Sequence, residues 1–134
     1  MEVRGKKAVL VGGASGMGRA TAQLLHDRGV AVAICDLPSS AGGEVAKSLD
    51  GTFHPVDVLD ETQVADALGA AVEALGGLHI AVNTAGGGRA KRTLTKEGPH
   101  PLDEFRLTIE LNLIATFNLN RLQASAMSAN EVCS

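Results

Sequence analysis

The sequence predicts an α/β domain built on a doubly wound parallel sheet, and three observations lead to this prediction. Short apolar runs alternate with stretches of helical periodicity, and the connections between them are short. The first apolar run leads into a glycine-rich turn that opens a helix. The chain has 134 residues, which is the size of one ordinary domain with a buried core. Strands that alternate with helices imply βαβ units and therefore parallel strands.

The first half of the chain contains two strand–helix units. The glycine at position 29 is a natural residue to follow the end of a helix. The second strand is apolar throughout, as expected for a strand that is covered on both faces, and Asp36-Leu37-Pro38 ends it. The first helix carries apolar residues at Met17, Ala20, Leu24 and Leu25. The predicted elements are a strand over residues 7–11, a helix over 16–28, a strand over 30–35 and a weaker helix to about residue 49.

The second half of the chain adds two more strands and two more helices. Asp60 and Gln63 resemble a capping box at the start of a helix, and Gly76-Gly77 ends that helix. The predicted elements are a strand over residues 52–56, a helix over 60–75, a strand over 78–82, a polar loop to about residue 101 and a long helix over 102–129. Four strands and one final long helix correspond to the N-terminal half of a Rossmann-like fold.

Composition limits the classes of protein to which the chain can belong. With a net charge of −3 and 45% hydrophobic residues, it is expected to be soluble and globular. Its lysines and arginines are scattered and form no basic face, so nucleic-acid binding is not expected. No apolar run approaches the length of a membrane span, and no signal-peptide pattern opens the chain, so no membrane partner is expected.

The cysteines and histidines suggest neither a disulfide nor a metal site. Cys35 lies in a predicted buried strand and Cys133 lies next to the C-terminus, so a structural disulfide is not expected. This pattern favours a reducing, cytoplasmic location. The four histidines have no ligand spacing, and we expect no metal at His26, His54, His79 or His100.

The glycine-rich turn is the strongest functional signal. Gly12, Gly16 and Gly18 lie between the first strand and the first helix, with Ser15 and Met17 between them. Glycines let the backbone approach a ligand closely, and a helix N-terminus offers unpaired N–H donors with a favourable dipole. The pattern therefore predicts a site for the pyrophosphate of a dinucleotide. The alternative is a tight strand-to-helix turn that binds no ligand.

Asp36 indicates which dinucleotide would bind. It ends the second strand 18 residues after Gly18, where a carboxylate can accept hydrogen bonds from the adenosine ribose hydroxyls. A carboxylate repels a 2′-phosphate, and neither Ser15 nor Leu37 supplies a compensating cation. NAD is therefore favoured over NADP. The alternative is that Asp36 is a solvated turn residue.

The end of the third strand adds a second acidic position. Asp57 and Val58 fall at the carboxyl edge of the sheet, where ligands bind in this fold class. Asp57 could accept a hydrogen bond from the adenine amino group while Val58 packs beside the ring. An aspartate before a turn is also common without any ligand, so both interpretations stay open.

Asn83-Thr84-Ala85-Gly86 ends the fourth strand. Small residues at Thr84, Ala85 and Gly86 allow the chain to pass close to a ribose. Asn83 can hold neighbouring strands through hydrogen bonds from its side chain to their backbone. The alternative is a wholly structural role for Asn83.

Asn112 is a polar residue among Leu111, Leu113 and Ile114, in a helix that the apolar pattern predicts to be buried. A buried amide costs about 1–3 kcal/mol when it lacks partners. We expect Asn112 to hold a water molecule or to kink the helix, or else to be a satisfied core asparagine.

Taken together, these residues resemble the short-chain dehydrogenase/reductase family. The glycine turn is similar to its TGxxxGxG motif, with Val11 in place of the threonine. The end of the fourth strand is similar to its NNAG motif, with Thr84 in place of the second asparagine. The resemblance extends to about Glu131 and assigns cofactor contacts to Asp36, Asp57 and Val58 and the role of helical catalytic asparagine to Asn112.

Three segments resemble one group of the family, the 3-hydroxyacyl-CoA dehydrogenases of type 2. These segments are Cys35-Asp36-Leu37-Pro38, the loop before Pro99-His100-Pro101-Leu102, and Phe117-Asn118-Leu119-Asn120-Arg121-Leu122. This resemblance implies an NAD-dependent, tetrameric oxidoreductase that acts on 3-hydroxyacyl-CoA thioesters or hydroxysteroids.

The chain departs from the family in its catalytic residues. Family members place a catalytic serine and a Tyr-x-x-x-Lys motif after the long helix, whereas this sequence contains no tyrosine and no lysine after Lys96. We therefore expect residues 1–134 to be an NAD-binding domain truncated before the catalytic segment, and inactive alone. A small-molecule substrate is expected only for the complete enzyme, with a C-terminal half or a homo-oligomer through residues 102–129 as partner. The alternatives are a stand-alone NAD-binding or assembly module and a non-functional fragment.

Overall fold

A computed structural model describes residues 2–130 and confirms the parallel α/β architecture. Four parallel strands form the main sheet in the order β3-β2-β1-β4. Their bounds are β1 Lys7–Val11, β2 Ala31–Asp36, β3 Thr52–Pro55 and β4 Ile80–Asn83. With β1 and β4 side by side, the chain changes direction across the sheet at this pair, and ligands bind at such points in doubly wound folds.

Helices cover both faces of the sheet. Their bounds are α1 Gly16–Asp27, α2 Gly42–Ser48 and α3 Glu61–Leu75, followed by a long helix with α4 Leu102–Ile109, a π-helical segment Glu110–Ile114 and α5 Ala115–Ser128. Alternate residues of β1 point to opposite faces. Ala8 and Leu10 belong to the apolar cluster that α1 and α2 cover, and Val9 and Val11 belong to the cluster that α3 and α5 cover.

The ends of α3 form as the sequence predicts. Asp60 accepts a hydrogen bond from the Gln63 amide at 3.0 Å, which caps the first turn. The Gln63 side chain accepts from the amide of Asp57 at 3.1 Å. The capping box is therefore extended to Asp57, two residues after the end of β3. Gly76 ends the helix with φ = +72°, a left-handed conformation that favours glycine.

The burial of two helices differs from the prediction. In α1, Met17 and Leu24 are 78% and 51% exposed, while Gly18 and Ala22 are the buried residues. Small side chains on that face let α1 approach the sheet closely. In the long helix, Leu113 and Phe117 are 62% and 67% exposed, so the prediction of a buried helix is wrong for its outward face. Among residues 2–130, Glu61 of α3 reaches this face through its ion pair with Arg121, while Leu113 and Phe117 stay exposed.

The structure also corrects the predicted bounds. Within the predicted polar loop, Leu94–Thr95 (β5) and Gly98–Pro99 (β6) form a short antiparallel hairpin. The fourth strand begins at Ile80, two residues later than predicted, although Leu78 is fully buried. The predictions for Glu131, Cys133 and the last residues lie outside the described residues. Within residues 2–130, no helix is both long and apolar enough to cross a membrane.

Candidate functional site

A cleft of about 580 Å³ lies at the carboxyl edge of the sheet, where the four main strands end. All the predicted cofactor-binding residues line it except Gly18 and Asn83. The lining residues are Val11, Gly12, Ser15, Gly16, Met17, Asp36, Leu37, Val56, Asp57, Val58, Leu59, Thr84, Ala85, Gly86 and Leu111.

The glycine turn forms one side of the cleft. Gly12 has φ = +83°, and a Cβ atom on Gly18 would lie 2.2 Å from the Gly12 carbonyl oxygen. Gly18 therefore lies beneath the turn. Because it has no side chain, α1 can start directly against the turn. Ser15 is the N-cap of α1, but its side chain makes no capping hydrogen bond. The N-terminal amides of α1 are thus left available to an anion at the cleft.

The Asp36 carboxylate is fixed at the rim of the cleft by two backbone amides. One oxygen accepts from the Ala14 amide at 2.9 Å, and the other accepts from the Leu37 amide at 2.7 Å. Each carboxylate oxygen keeps a further lone pair for a ligand hydroxyl. The neighbouring Cys35 thiol is buried, and burial, together with the charge of Asp36, raises its pKa to about 12. The thiol is therefore protonated and unreactive at neutral pH.

Asp57 and three apolar side chains form a further part of the cleft lining. Asp57 accepts a hydrogen bond from the Leu59 amide at 3.0 Å, which orients its carboxylate. Val58, Leu59 and Leu111 line the cleft beside it. Four residues that line the cleft were not predicted as cofactor contacts: Val11, Val56, Leu59 and Leu111. Leu111 comes from the distant long helix, and its position next to Asn112 was the signal that could have identified it.

The Asn83 side chain points away from the cleft and toward α5. Its amide donates to Gln123 and Asn120, both at 2.8 Å, and its carbonyl accepts from Gln123 at 2.8 Å. The predicted hydrogen bonds from Asn83 to neighbouring strands are therefore wrong. Thr84 takes that role, because its hydroxyl lies 3.2 Å from the carbonyl oxygens of Val11 and Gly12. The pair of amides instead anchors the long helix to β4.

Asn112 connects the long helix to the loop that follows β4. Its side-chain carbonyl accepts from the Gly87 amide at 3.0 Å. Its side-chain amide donates to the Thr108 carbonyl at 2.8 Å and also to the Gly87 carbonyl. Asn112 is exposed, so the predicted buried environment is wrong, although its amide is satisfied. It lies inside the π-helical segment, an irregularity that is frequent at functional sites.

The described part of the chain, residues 2–130, has no group of three or more His, Cys, Asp or Glu side chains that could hold a metal ion. The candidate site is therefore built from backbone amides, two carboxylates and apolar walls. These groups suit a ligand that combines a diphosphate, ribose hydroxyls and a flat aromatic ring.

Comparisons with known proteins agree with this geometry. The sequence profile of the short chain dehydrogenases matches residues 6–133. The 3-hydroxyacyl-CoA dehydrogenase type-2 of Drosophila melanogaster is 44% identical over 133 residues, which are 96% of this chain and 52% of that protein. The human protein of the same name is 42% identical, again over 96% of this chain and 51% of its own length. The chain thus spans about half the length of these relatives.

Solved structures give the same picture. The 3-hydroxyacyl-CoA dehydrogenase type-2 of Mycobacterium avium superimposes with a TM-score of 0.88 at 35% identity, over 100% of this chain and 54% of that one. A hydroxysteroid dehydrogenase of Escherichia coli gives a TM-score of 0.81 at 29% identity, over 94% of this chain and 54% of that one.

The close contact at Gly18 gives a testable prediction. Gly18→Ala forces a methyl group against the Gly12 carbonyl, so we expect the free energy of unfolding to fall by about 1–3 kcal/mol. Gly69→Ala is the matched control, because Gly69 lies in α3 with open space around its Cβ position. We expect this variant to gain about 0.5–1 kcal/mol from helix propensity. Urea unfolding measures the free energy of unfolding of both variants. Equal changes in the two variants would contradict the close contact between Gly18 and the Gly12 carbonyl.

Proposed function

The chain belongs to the short chain dehydrogenase family, and we propose that it supplies the NAD-binding part of an oxidoreductase for 3-hydroxyacyl-CoA thioesters or related secondary alcohols. The observation that carries this proposal is the Asp36 carboxylate, which the Ala14 and Leu37 amides hold at the cleft rim. The names of the relatives suggest the substrate class.

The charges around the cleft favour NAD over NADP. The lining residues include two carboxylates, Asp36 and Asp57, and no lysine or arginine. A 2′-phosphate on the adenosine ribose would meet the charge of Asp36 without a cation to compensate it, whereas free ribose hydroxyls would donate to it. The cofactor choice therefore depends mainly on one side chain.

The residues present fit a dinucleotide. Bound NAD supplies the acceptor for a hydride. The turn at Gly12 and the N-terminus of α1 would hold its pyrophosphate, Asp36 its ribose hydroxyls and Asp57 its adenine amino group. Val58, Leu59 and Leu111 would exclude water from the adenine ring. Asn112 would keep the loop after β4 in place through both of its hydrogen bonds to Gly87.

Catalysis needs residues beyond this set. Oxidation of an alcohol requires a group that accepts the hydroxyl proton, and general acid–base catalysis typically contributes about 10²–10⁴-fold. The sequence contains no tyrosine, and the titratable residues that line the cleft are the two carboxylates assigned to the cofactor. We therefore propose that the 134-residue polypeptide binds NAD but does not turn over alone. The cytoplasmic location stays a prediction.

We also propose that the long helix joins two copies of the chain. Glu110, Ile114, Phe117 and Arg121 follow one another at helical spacing on its outward face and line a groove of about 430 Å³. In an antiparallel pair of such helices, Glu110 of one copy would face Arg121 of the other, which also lies 3.4 Å from Glu61 of its own copy, and Ile114 would face Phe117. This stripe is therefore complementary to itself, as a two-fold interface requires.

The cofactor preference is tested by Asp36→Asn. The amide side chain removes the negative charge with little change in shape, so we expect the preference for NADH over NADPH to fall roughly tenfold, or about 1.4 kcal/mol. Dissociation constants from titration calorimetry measure this ratio. Asp66→Asn on the exposed face of α3 is the control and should leave it unchanged. An unchanged ratio in Asp36→Asn would contradict the assigned role.

Turnover is tested with the purified chain, NADH and acetoacetyl-CoA. We expect binding of NADH without its oxidation, because the titratable residues of the described chain that line the cleft are the two carboxylates assigned to the cofactor. Addition of a C-terminal half that carries the serine and Tyr-x-x-x-Lys motif is expected to restore oxidation. Loss of NADH absorbance with the chain of verified mass alone would show the proposal to be wrong, and absence of NADH binding would remove its basis.

The helix interface is tested by reversing charges. Glu110→Arg would set two arginines against each other, so we expect weaker association in sedimentation velocity experiments. The triple variant Glu61→Gln/Glu110→Arg/Arg121→Glu exchanges the two charges, removes the carboxylate that pairs with position 121 in the same copy, and should associate as the unmodified chain does. If the single reversal leaves the sedimentation coefficient unchanged, the stripe is not the interface.

A further inference from the structure

The two positions at which this chain departs from the family's glycine and asparagine motifs lie in direct contact. Val11 replaces a threonine at the end of β1, and Thr84 replaces an asparagine after β4. The Thr84 amide donates to the Val11 carbonyl at 2.8 Å. The Thr84 hydroxyl lies 3.2 Å from the Val11 carbonyl oxygen and 3.2 Å from that of Gly12. The two departures therefore occur at one junction between strands.

The Val11 side chain cannot supply a polar group at this junction. It is 1% exposed and packs in the apolar cluster with Ala33, Cys35 and Leu119. The hydroxyl group at this junction comes from Thr84, which follows β4, and it lies on the other face of the sheet, against Gly18 of α1. Its single proton is shared between two carbonyl acceptors.

The position of this hydroxyl matters because it touches both ends of the glycine turn. A Cβ atom on Gly12 or on Gly18 would lie 2.6 Å from the Thr84 hydroxyl oxygen. The Gly12 carbonyl, which accepts from this hydroxyl, is also the group against which Gly18 packs. One side chain thus holds the start of the turn and adjoins the first turn of α1.

We propose that Thr84 is a positioning residue for the dinucleotide: its hydroxyl fixes the glycine turn through the carbonyl oxygens of Val11 and Gly12. This inference rests on the proposed NAD binding in the cleft. A turn that is already fixed presents the amides of α1 without an ordering cost at the moment of binding. Removal of the hydroxyl leaves the fold intact and raises the dissociation constant for NADH.

The test compares NADH dissociation constants, measured by fluorescence titration at a temperature where every variant is folded. We expect Thr84→Val to weaken NADH binding about 3–10-fold, as the loss of one net hydrogen bond does. Thr84→Ser keeps the hydroxyl and should bind within twofold of the unmodified chain. Thr52→Val, an exposed threonine on the edge strand β3, is the control and should not change binding.

Should Thr84→Val fail to fold, the comparison of Thr84→Ala with Thr84→Ser measures the same hydroxyl. NADH affinity within twofold of the unmodified chain for the variants without a hydroxyl would overturn the inference. The unmodified chain is titrated with NADH in the same experiment. If it binds NADH, the proposed function stands whichever result the variants give, so a failure of this inference is distinguished from a failure of the proposed function.

Discussion

The fold depends on one close contact between backbones, that of Gly18 with the Gly12 carbonyl. A side chain at Gly18 would overlap this oxygen, so only glycine allows α1 to begin directly beneath the turn that leaves β1. The same contact sets where the turn lies relative to β2 and β4. As a result, the Ala14 amide reaches Asp36 on one side, and the Thr84 hydroxyl reaches Gly12 on the other. The cleft is the space that these contacts leave open.

Amide side chains tie the long helix to the sheet, beside the apolar packing of Leu119. Asn83 and Gln123 exchange two hydrogen bonds in α5, and Asn112 holds Gly87 near the cleft. After the end of α5, Asn130 binds both the amide and the carbonyl of Leu78. Gln123 is buried, and a buried amide that loses its partner costs about 1–3 kcal/mol. These three points fix the helix on the sheet even though its outward face is apolar and exposed.

Predictions that depend on neighbouring residues in the sequence are confirmed, whereas those that depend on distant partners are not. The first strand, the glycine turn and the capping of α3 by Asp60 depend on neighbouring residues, and all three form as predicted. Asn83 was misjudged because its partner Gln123 lies 40 residues away. Periodicity placed apolar residues on the long helix correctly but could not show which of them are covered, and Leu113 and Phe117 lie exposed. The predicted residues of the cleft came from strand ends, whereas Leu111 comes from a helix, where no turn signal identifies it.

The distribution of charge in the cleft also determines how a dinucleotide can lie in it. The positive end of the α1 dipole is at Gly16, while negative charge is concentrated at Asp36 and Asp57 along the strand ends. A diphosphate placed beside either carboxylate would meet like charge in a partly enclosed space, where repulsion is stronger than in water. Beside α1, the same group would meet free amides and a favourable dipole. For a dinucleotide in this cleft, the phosphates therefore belong at α1, and the hydroxyl and amino donors belong at the carboxylates. Under the proposed function, the two carboxylates would set the orientation of the dinucleotide by repelling its phosphates, and they would be engaged with the cofactor rather than with a substrate.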